Sequence, residues 1–219
     1  MVKINVKATF SEELLGTSPN TEDLYVQFVG SKAPDAATLA DEVAAAGASA
    51  VTEKSKTVFN RDGDGPFLYD YQIKGYFKDA CSMLARVGKT EKTKNNESGK
   101  LTAYKKTIDG LIFVSPRKIH IHLPRPEGTC QRPLRASTAQ GERIALAISE
   151  TAPEGSSIEF CVTCLEDSHA AAVREWLDYG EMRGIGQWRN SGKGRFKWEE
   201  AGSEKACPEK KGGGYETDT

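Results

Sequence analysis

The sequence predicts an α+β fold, a sheet of short strands carrying helices, on three observations. Strand-like alternation opens the chain, two stretches of helical periodicity lie at 70–87 and 168–181, and short alternating runs stand between and after them. Residues 2–10 put Val2, Ile4, Val6 and Ala8 on one side of a strand. In 34–47, Pro34 near the start, early acids and Gly47 after the last turn mark a short helix with Leu39 and Val43 four apart. Asp62-Gly-Asp-Gly-Pro66 has the composition of a turn. Beyond it Ile73, Tyr76, Phe77, Ala80, Leu84 and Val87 recur at helical spacing. Residues 88–100 are polar and charged and read as a mobile loop.

Strands are expected next, near 105–114 and 117–123. In the second, Ile119, Ile121 and Leu123 face one way, and Lys118, His120 and His122 the other. Two more, near 142–149 and 156–165, are joined by Pro153-Glu-Gly155 and read as a hairpin. Helix 168–181 buries Val173, Trp176, Leu177 and either Tyr179 or Gly180, and a last strand lies near 194–199. Strand, helix, strands, helix, loop, strand is the order of a ferredoxin-like (RRM-like) sandwich. The expectation is one domain over 1–201, a helical insertion at 17–55, and a disordered tail at 202–219.

A chain of 219 residues with 38% hydrophobic and 28% charged residues has the composition of a soluble globular protein. No apolar run approaches the roughly 18–20 residues that span a bilayer, and the first residues alternate instead of forming a signal-peptide core. The expected location is therefore cytoplasmic, with no membrane partner. Five cysteines at irregular spacings fit reduced thiols. Cys161-Val-Thr-Cys164 has half the spacing of a zinc site, but an odd separation on a strand sends two thiols to opposite faces. Charge is unevenly spread: −5 over 1–53, +9 over 54–143, −7 over 144–182 and +5 over 183–198. If the fold joins the two basic segments, they make one positive surface.

The stretch that carries most chemistry is Arg183-Gly-Ile-Gly-Gln-Trp-Arg-Asn-Ser-Gly-Lys-Gly-Arg195. Gly184, Gly186, Gly192 and Gly194 alternate with Arg183, Arg189, Lys193 and Arg195, and no acid intervenes. Glycine permits close backbone approach, successive N–H groups make an anion-binding concavity, and arginine binds phosphate with two donors. The plainer reading is a tight turn between helix and strand. It is no Walker A loop, since Gln187 stands where the first glycine belongs and Gly194 follows Lys193. Trp188 fits a base-stacking role or a place in the core equally well.

Lys74, Gly75 and Lys78 open a helix, where the dipole and free N–H groups favour an anion. Arg132 and Arg135 lie in a stretch read as a loop without a nearby acid, within reach of a phosphate. His120 and His122, two apart on a strand beside Lys118, could serve as a general base; further metal ligands are not evident, and no metal or cofactor is expected.

Three segments in order resemble the RAMP superfamily of CRISPR-associated proteins, and more closely the subunits that line guide RNA in multi-subunit effector complexes. Val6 to Gly16 is similar to the family's opening strand and turn. Arg61-Asp-Gly-Asp-Gly-Pro-Phe-Leu-Tyr-Asp-Tyr-Gln-Ile-Lys74-Gly75-Tyr-Phe-Lys78 resembles its arginine–aspartate turn leading into a helix with Lys-Gly at its start. Ala136 to Phe160, with Ser149-Glu150 and Pro153-Glu-Gly155, is the third, and the glycine loop completes the set. There are departures. Asp70-Tyr71-Gln72 replaces a glycine–serine pair, and Leu14 and Leu15 stand where many relatives carry histidine. Lys56 stands about where the target-slicing branch has an aspartate, and lysine cannot take over that carboxylate's role.

The resemblance implies a ferredoxin-like palm with an inserted thumb, 17–55 being the candidate. It implies a protein that holds guide or single-stranded RNA by its phosphates without cutting it, and assembles side by side along it. Arg61, Lys74, Lys78, Arg132, Arg135, Arg183, Arg189, Lys193 and Arg195 would neutralise phosphate, and Gly75, Gly184, Gly186, Gly192 and Gly194 would permit its approach. Two other functions stay open. One is a mobile-element (phage) mimic that blocks a CRISPR backbone subunit (an anti-CRISPR), with the acidic 17–55 stretch as its protein contact. The other is a guide-processing endoribonuclease using His120 or His122.

Overall fold

The computed structural model describes residues 1–19, 56–87, 96–138 and 141–202, with the backbone alone along 134–138 and 141–146. The expected helix at 34–47, most of the 17–55 insertion, residues 88–95 and the tail from 203 lie outside the described residues. In chain order the strands and helices begin with β1 (Val2–Phe10), β2 (Leu14–Leu15) and β3 (Ser18–Pro19). Then come β4 (Thr57–Val58), β5 (Asn60–Asp62), β6 (Gly65–Tyr69) and the long helix α1 (Asp70–Val87). Helices α2 (Glu97–Lys100) and α3 (Tyr104–Leu111) precede β7 (Ile112–Ser115), β8 (Lys118–His122), β9 (Gly128–Thr138), β10 (Gly141–Ala152) and β11 (Ser157–Cys164). The chain closes with α4 (His169–Asp178), α5 (Gly180–Arg183), a 3₁₀ turn at Arg189–Ser191 and β12 (Phe196–Glu200).

Alternation makes β1 the central strand: Ile4, Val6, Ala8 and Phe10 are buried. It pairs antiparallel with β11, from Val2↔Cys164 to Thr9↔Ser157, and on its other edge with β12, from Val6↔Glu200 to Phe10↔Phe196. β7 and β8 lie end to end along β11, separated by the cis Ser115–Pro116 bond. The order β12-β1-β11-β7/β8, with α1 after β1 and α4 after β11, is the 4-1-3-2 order of a βαββαβ sandwich. The palm is ferredoxin-like. A hairpin of β5 and β6 widens the sheet through Phe67↔His120 and Leu68↔Ile119.

The helices cover the palm through Ile73, Phe77 and Ala80 of α1 and Val173, Trp176 and Leu177 of α4, all at most 2% exposed. Burying each large apolar side chain contributes about 1.5–3 kcal/mol. Phe77 and Trp176 meet at 5.4 Å between ring centroids, and the Tyr76 hydroxyl donates to the Trp176 carbonyl. Burial drives the Tyr76 pKa up, so that hydroxyl stays a donor.

Three local expectations are corrected. Residues 104–111 form a helix where a strand was expected, because Tyr104, Ile108 and Leu111 recur at helical spacing and Ile108 is buried; the strand starts at Ile112. At the end of the stretch expected to be loop, residues 97–100 form α2, capped by Asn96, whose side chain accepts from the Gly99 N–H at 3.0 Å. And β10 and β11 are not a hairpin. The Pro153–Gly155 turn carries the chain from one sheet to the other, and β10 pairs instead with β9, from Gly141↔Thr138 to Thr151↔Gly128. That long hairpin is inserted between the second and third palm strands. Arg132 and Arg135 therefore lie on a strand, not in a loop; Pro133 is tolerated there because β9 pairs only with β10 among the described residues.

Candidate functional site

The glycine loop crosses itself. Ile185 donates to the Gly194 carbonyl at 2.9 Å, and Gly194 donates to the Glu13 carbonyl at 2.8 Å. At Gly194 (φ +71°) a Cβ would stand 2.0 Å from the Ile185 carbonyl oxygen, and at Gly184 (φ +73°) it would stand 2.7 Å from the Lys193 carbonyl oxygen. These two glycines are therefore required by the loop's own crossing. Gly186 sits against Leu14, and Gly192 faces the side chain of Arg195.

The loop has no acid in sequence, yet acids reach it in space. Asp79 of α1 accepts from Arg183 Nε at 3.0 Å and from Arg189 Nη1 at 2.6 Å. Lys193 lies 3.1 Å from Glu13 and 3.8 Å from Glu12. The Asp79 hydrogen bond raises the Arg183 pKa, whereas for Lys193 the rise from Glu13 and Glu12 is opposed by burial. Arg195 is exposed and has no ion pair among the described residues.

The remaining predicted cations are spread out. Arg61 bridges Glu127 and Glu150, which raises its pKa. Lys78 pairs with Asp109 at 2.6 Å, and Lys74 reaches the Asp109 carbonyl while lying 4.7 Å from the Phe113 ring centroid. Both lysines thus turn toward α3. The side chain of Arg135 lies outside the described residues. Lys74, Gly75 and Lys78 do not open the helix as expected: α1 begins at Asp70, which puts them in its second and third turns, away from the free N–H groups. At the start itself Gln72 Oε1 accepts from the Tyr69 N–H and Asp70 Oδ1 from the Tyr71 N–H, each at 2.8 Å.

What the fold does bring together is a cleft of about 240 Å³ between the glycine loop, β2 and α1, lined among others by Gln72, Gly75, Gly186, Gln187 and Arg189. No atom lies within 4 Å of a Cβ built on Gly75, so that position is open. Gln72 Nε2 donates to Thr17 Oγ1 at 2.9 Å, and Gln187 Nε2 to the Gly16 carbonyl at 3.2 Å. From β9, Arg132 donates to Gln187 Oε1 at 2.9 Å and lies 5.2 Å from the ring of Trp188, which is 40% exposed. The Nε and Nη1 of Arg132 are buried without a hydrogen-bond partner among the described residues. Unpaired guanidinium donors in a low-dielectric rim are costly unless an acceptor arrives. Gly75, Gly186 and Arg189 thus line one cleft, and Arg132 with Trp188 joins it through Gln187. Sequence reasoning missed Gln72, Gln187 and Asp79, ordinary polar residues whose place depends on the tertiary fold.

His120 lies on the other side of the palm sheet from the core. Its Nε2 is 2.9 Å from Asp62 Oδ1, and Lys118 Nζ is 2.8 Å from Asp62 Oδ2. Lys118 first, then His120, hold the Asp62 carboxyl well below the usual carboxylate range. Asp62, Asp64 and His120 offer ligand atoms within 4.8 Å of one another. Both Asp62 oxygens already accept hydrogen bonds, Oδ1 from the Asp64 N–H and Oδ2 from the Lys118 ammonium, and these contacts pin the β5–β6 turn to β8. Cys161 and Cys164 are buried and form no disulfide, and burial pushes Cys164 up to about 11.

No protein-family model matches the sequence, and no curated protein matches it. The solved structures similar to this chain include two from CRISPR complexes. One is a chain of the Type III-B Cmr-β complex bound to cognate target RNA, with a TM-score of 0.48 and 11% identity; the match covers 90% of this chain and 58% of that one. The other is a chain of a Type IV-B CRISPR complex, with a TM-score of 0.44 and 13% identity over 96% of this chain and 95% of that one. The ferredoxin-like assignment rests on the strand order given above. Among the described residues no helix is long and apolar enough to cross a membrane.

Proposed function

We propose that this chain is a RAMP-type, CRISPR-associated protein that holds single-stranded or guide RNA by its phosphates in the cleft between the glycine loop and α1, without cutting it. Copies would lie side by side along the RNA within an effector assembly. The observation that carries the reading is Arg132: its Nε and Nη1 are buried without a hydrogen-bond partner among the described residues, beside a half-exposed tryptophan, while its Nη2 bonds Gln187 of the cleft. A phosphate met by the Arg132 side chain swinging outward would supply the missing acceptors, and a base can stack on Trp188.

The test is fluorescence anisotropy with a labelled single-stranded RNA over a range of salt. With two cations engaged (Arg132 and Arg195), log K should fall with log salt at a slope of about −1.4, Arg189 being held by Asp79. Arg132→Ala should weaken binding roughly tenfold, the loss of one charge-assisted contact. Binding that ignores both salt and this substitution would refute the reading.

A second reading, the mimic, is favoured by one observation: Asp79, Glu12 and Glu13 neutralise three of the loop's four cations. Such a protein would occupy a backbone subunit's place through protein contacts and leave RNA alone. A purified chain free of RNA that also disrupts a reconstituted effector complex would favour it over the first reading.

A further inference from the structure

A graded series of rings runs from the palm to the surface beside the cleft. Phe67 is 3% exposed and meets Tyr69 edge-on, with centroids 5.1 Å apart. Tyr69 stacks on Tyr71, the first-turn residue of α1, at 5.2 Å and 17° between planes, and Tyr71 is 52% exposed. The Arg117 guanidinium lies 5.4 Å from the Tyr69 ring centroid and 5.3 Å from that of Tyr71. The three centres thus form a triangle, with the cation beside the ring pair and not capping it. Asp70 holds Arg117 in place through an ion pair. Lys118 lies 4.9 Å from the Phe67 ring centroid, and its ammonium binds Asp62. Gln72, the next residue after Tyr71, lines the cleft.

We infer that Tyr71 is a stacking platform for a nucleobase of the RNA strand as it leaves the cleft, a contact separate from Trp188. The inference rests on the RNA reading. A flat ring fixed by a parallel neighbour has little freedom left to lose on binding, so stacking on it is favourable and tolerant of sequence. Arg117 supplies a cation beside the ring, and Lys118 one beside Phe67 at the inner end of the series. The two cations are exposed, at 66% and 47% of the side chain, so a phosphate can approach them while Asp70 and Asp62 keep them in place. Continuity with the cleft favours the RNA strand over a peptide as occupant. The Asp70-Tyr71-Gln72 sequence caps the first turn of α1 and offers a base contact there.

The experiment compares two oligomers with equal numbers of phosphates, a single-stranded RNA and its abasic-spacer equivalent, on wild type, Tyr71→Phe and Tyr71→Leu. Phe keeps a ring, and Leu keeps apolar bulk without one. The expected result is that Tyr71→Leu weakens RNA binding roughly fivefold or more. Tyr71→Phe should bind RNA as wild type does, and all three proteins should bind the abasic oligomer equally. RNA binding unchanged in Tyr71→Leu, while Arg132→Ala still weakens it, would overturn the platform and leave the RNA reading standing. Equal weakening on both oligomers would also overturn it, because the loss would then concern phosphates or the fold. If wild type binds neither oligomer, the RNA reading itself fails; Tyr71→Leu weakening capture of a purified effector subunit would then assign the rings to a protein partner.

Discussion

Replacing Asp79 by Ala should destabilise the protein and strengthen its hold on RNA at the same time. Asp79 Oδ2 accepts from both Arg183 and Arg189, and the three side chains are only 21–28% exposed. A charge-assisted hydrogen bond in such a setting contributes about 1.5–3 kcal/mol. The two share one oxygen and are partly solvated, so they do not add fully, and a combined loss of roughly 2–3 kcal/mol follows. For a chain of this size that lowers Tm by about 4–12 °C. Meanwhile the cleft gains a unit of positive charge, and two guanidinium groups are released beside Gly186 and Gln187. If either takes up a phosphate, the slope of log K against log salt steepens by about 0.7 for each added contact. Thermal melts followed by circular dichroism and salt-dependent anisotropy on the same preparation measure both effects. An unchanged Tm would mean that the Asp79 pairs contribute nothing. A lowered Tm with an unchanged slope would take both arginines off the RNA path.

Three further outcomes are expected. Gly194→Ala should cost at least about 2 kcal/mol, from the left-handed backbone and the 2.0 Å approach to the Ile185 carbonyl oxygen; a variant melting with wild type would show that the loop does not cross as described. Because the folded-state pKa of Asp62 is depressed, its stabilisation is present above the unfolded value near about 4 and is lost as pH falls through the folded value. Asp62→Asn should therefore be less stable at neutral pH and decline less steeply with acid, and identical pH–stability curves would contradict the Lys118–Asp62–His120 arrangement. In a Cys207→Ser background, a thiol reagent at pH 8 should modify Cys130 first. Burial raises Cys81 and Cys164 to about 11 and encloses Cys161, so early labelling of any of these three would place them at the surface.

The elements legible in the sequence are those that declare themselves locally. β1, α1, α4 and β12 were readable because each keeps one period and one buried face, as Ile4-Val6-Ala8 and Ile73-Tyr76-Phe77-Ala80 do. The misread segments are those whose partner is distant or whose neighbour is misleading. Pro133 disguised β9, and the nearness of β10 to β11 in sequence hid their assignment to different sheets. The candidate site follows the same division. The glycine loop stood out by composition, but Arg183 and Arg189 meet Asp79 across 104 and 110 positions, and Lys193 meets Glu13 across 180. A charge count along the chain cannot anticipate such pairs. It separated the basic segments correctly and could not say that the fold would neutralise most of one.

That neutralisation bears on how the chain could work. An arginine already held by a carboxylate has lost most of its side-chain freedom, so a phosphate taking the carboxylate's place meets a preorganised donor. Against this, the displaced Asp79 stays close to the RNA and repels it. One cleft with a few exchangeable cations and an Arg132 whose Nε and Nη1 lack partners among the described residues is therefore a weak binder by itself. Strength has to come from repetition, because a second copy on the same strand binds at a high effective concentration. The reading thus ties affinity to strand length. An RNA long enough for two copies should bind far more than twice as tightly as one that fits a single copy, and a proportional gain would remove the case for side-by-side assembly.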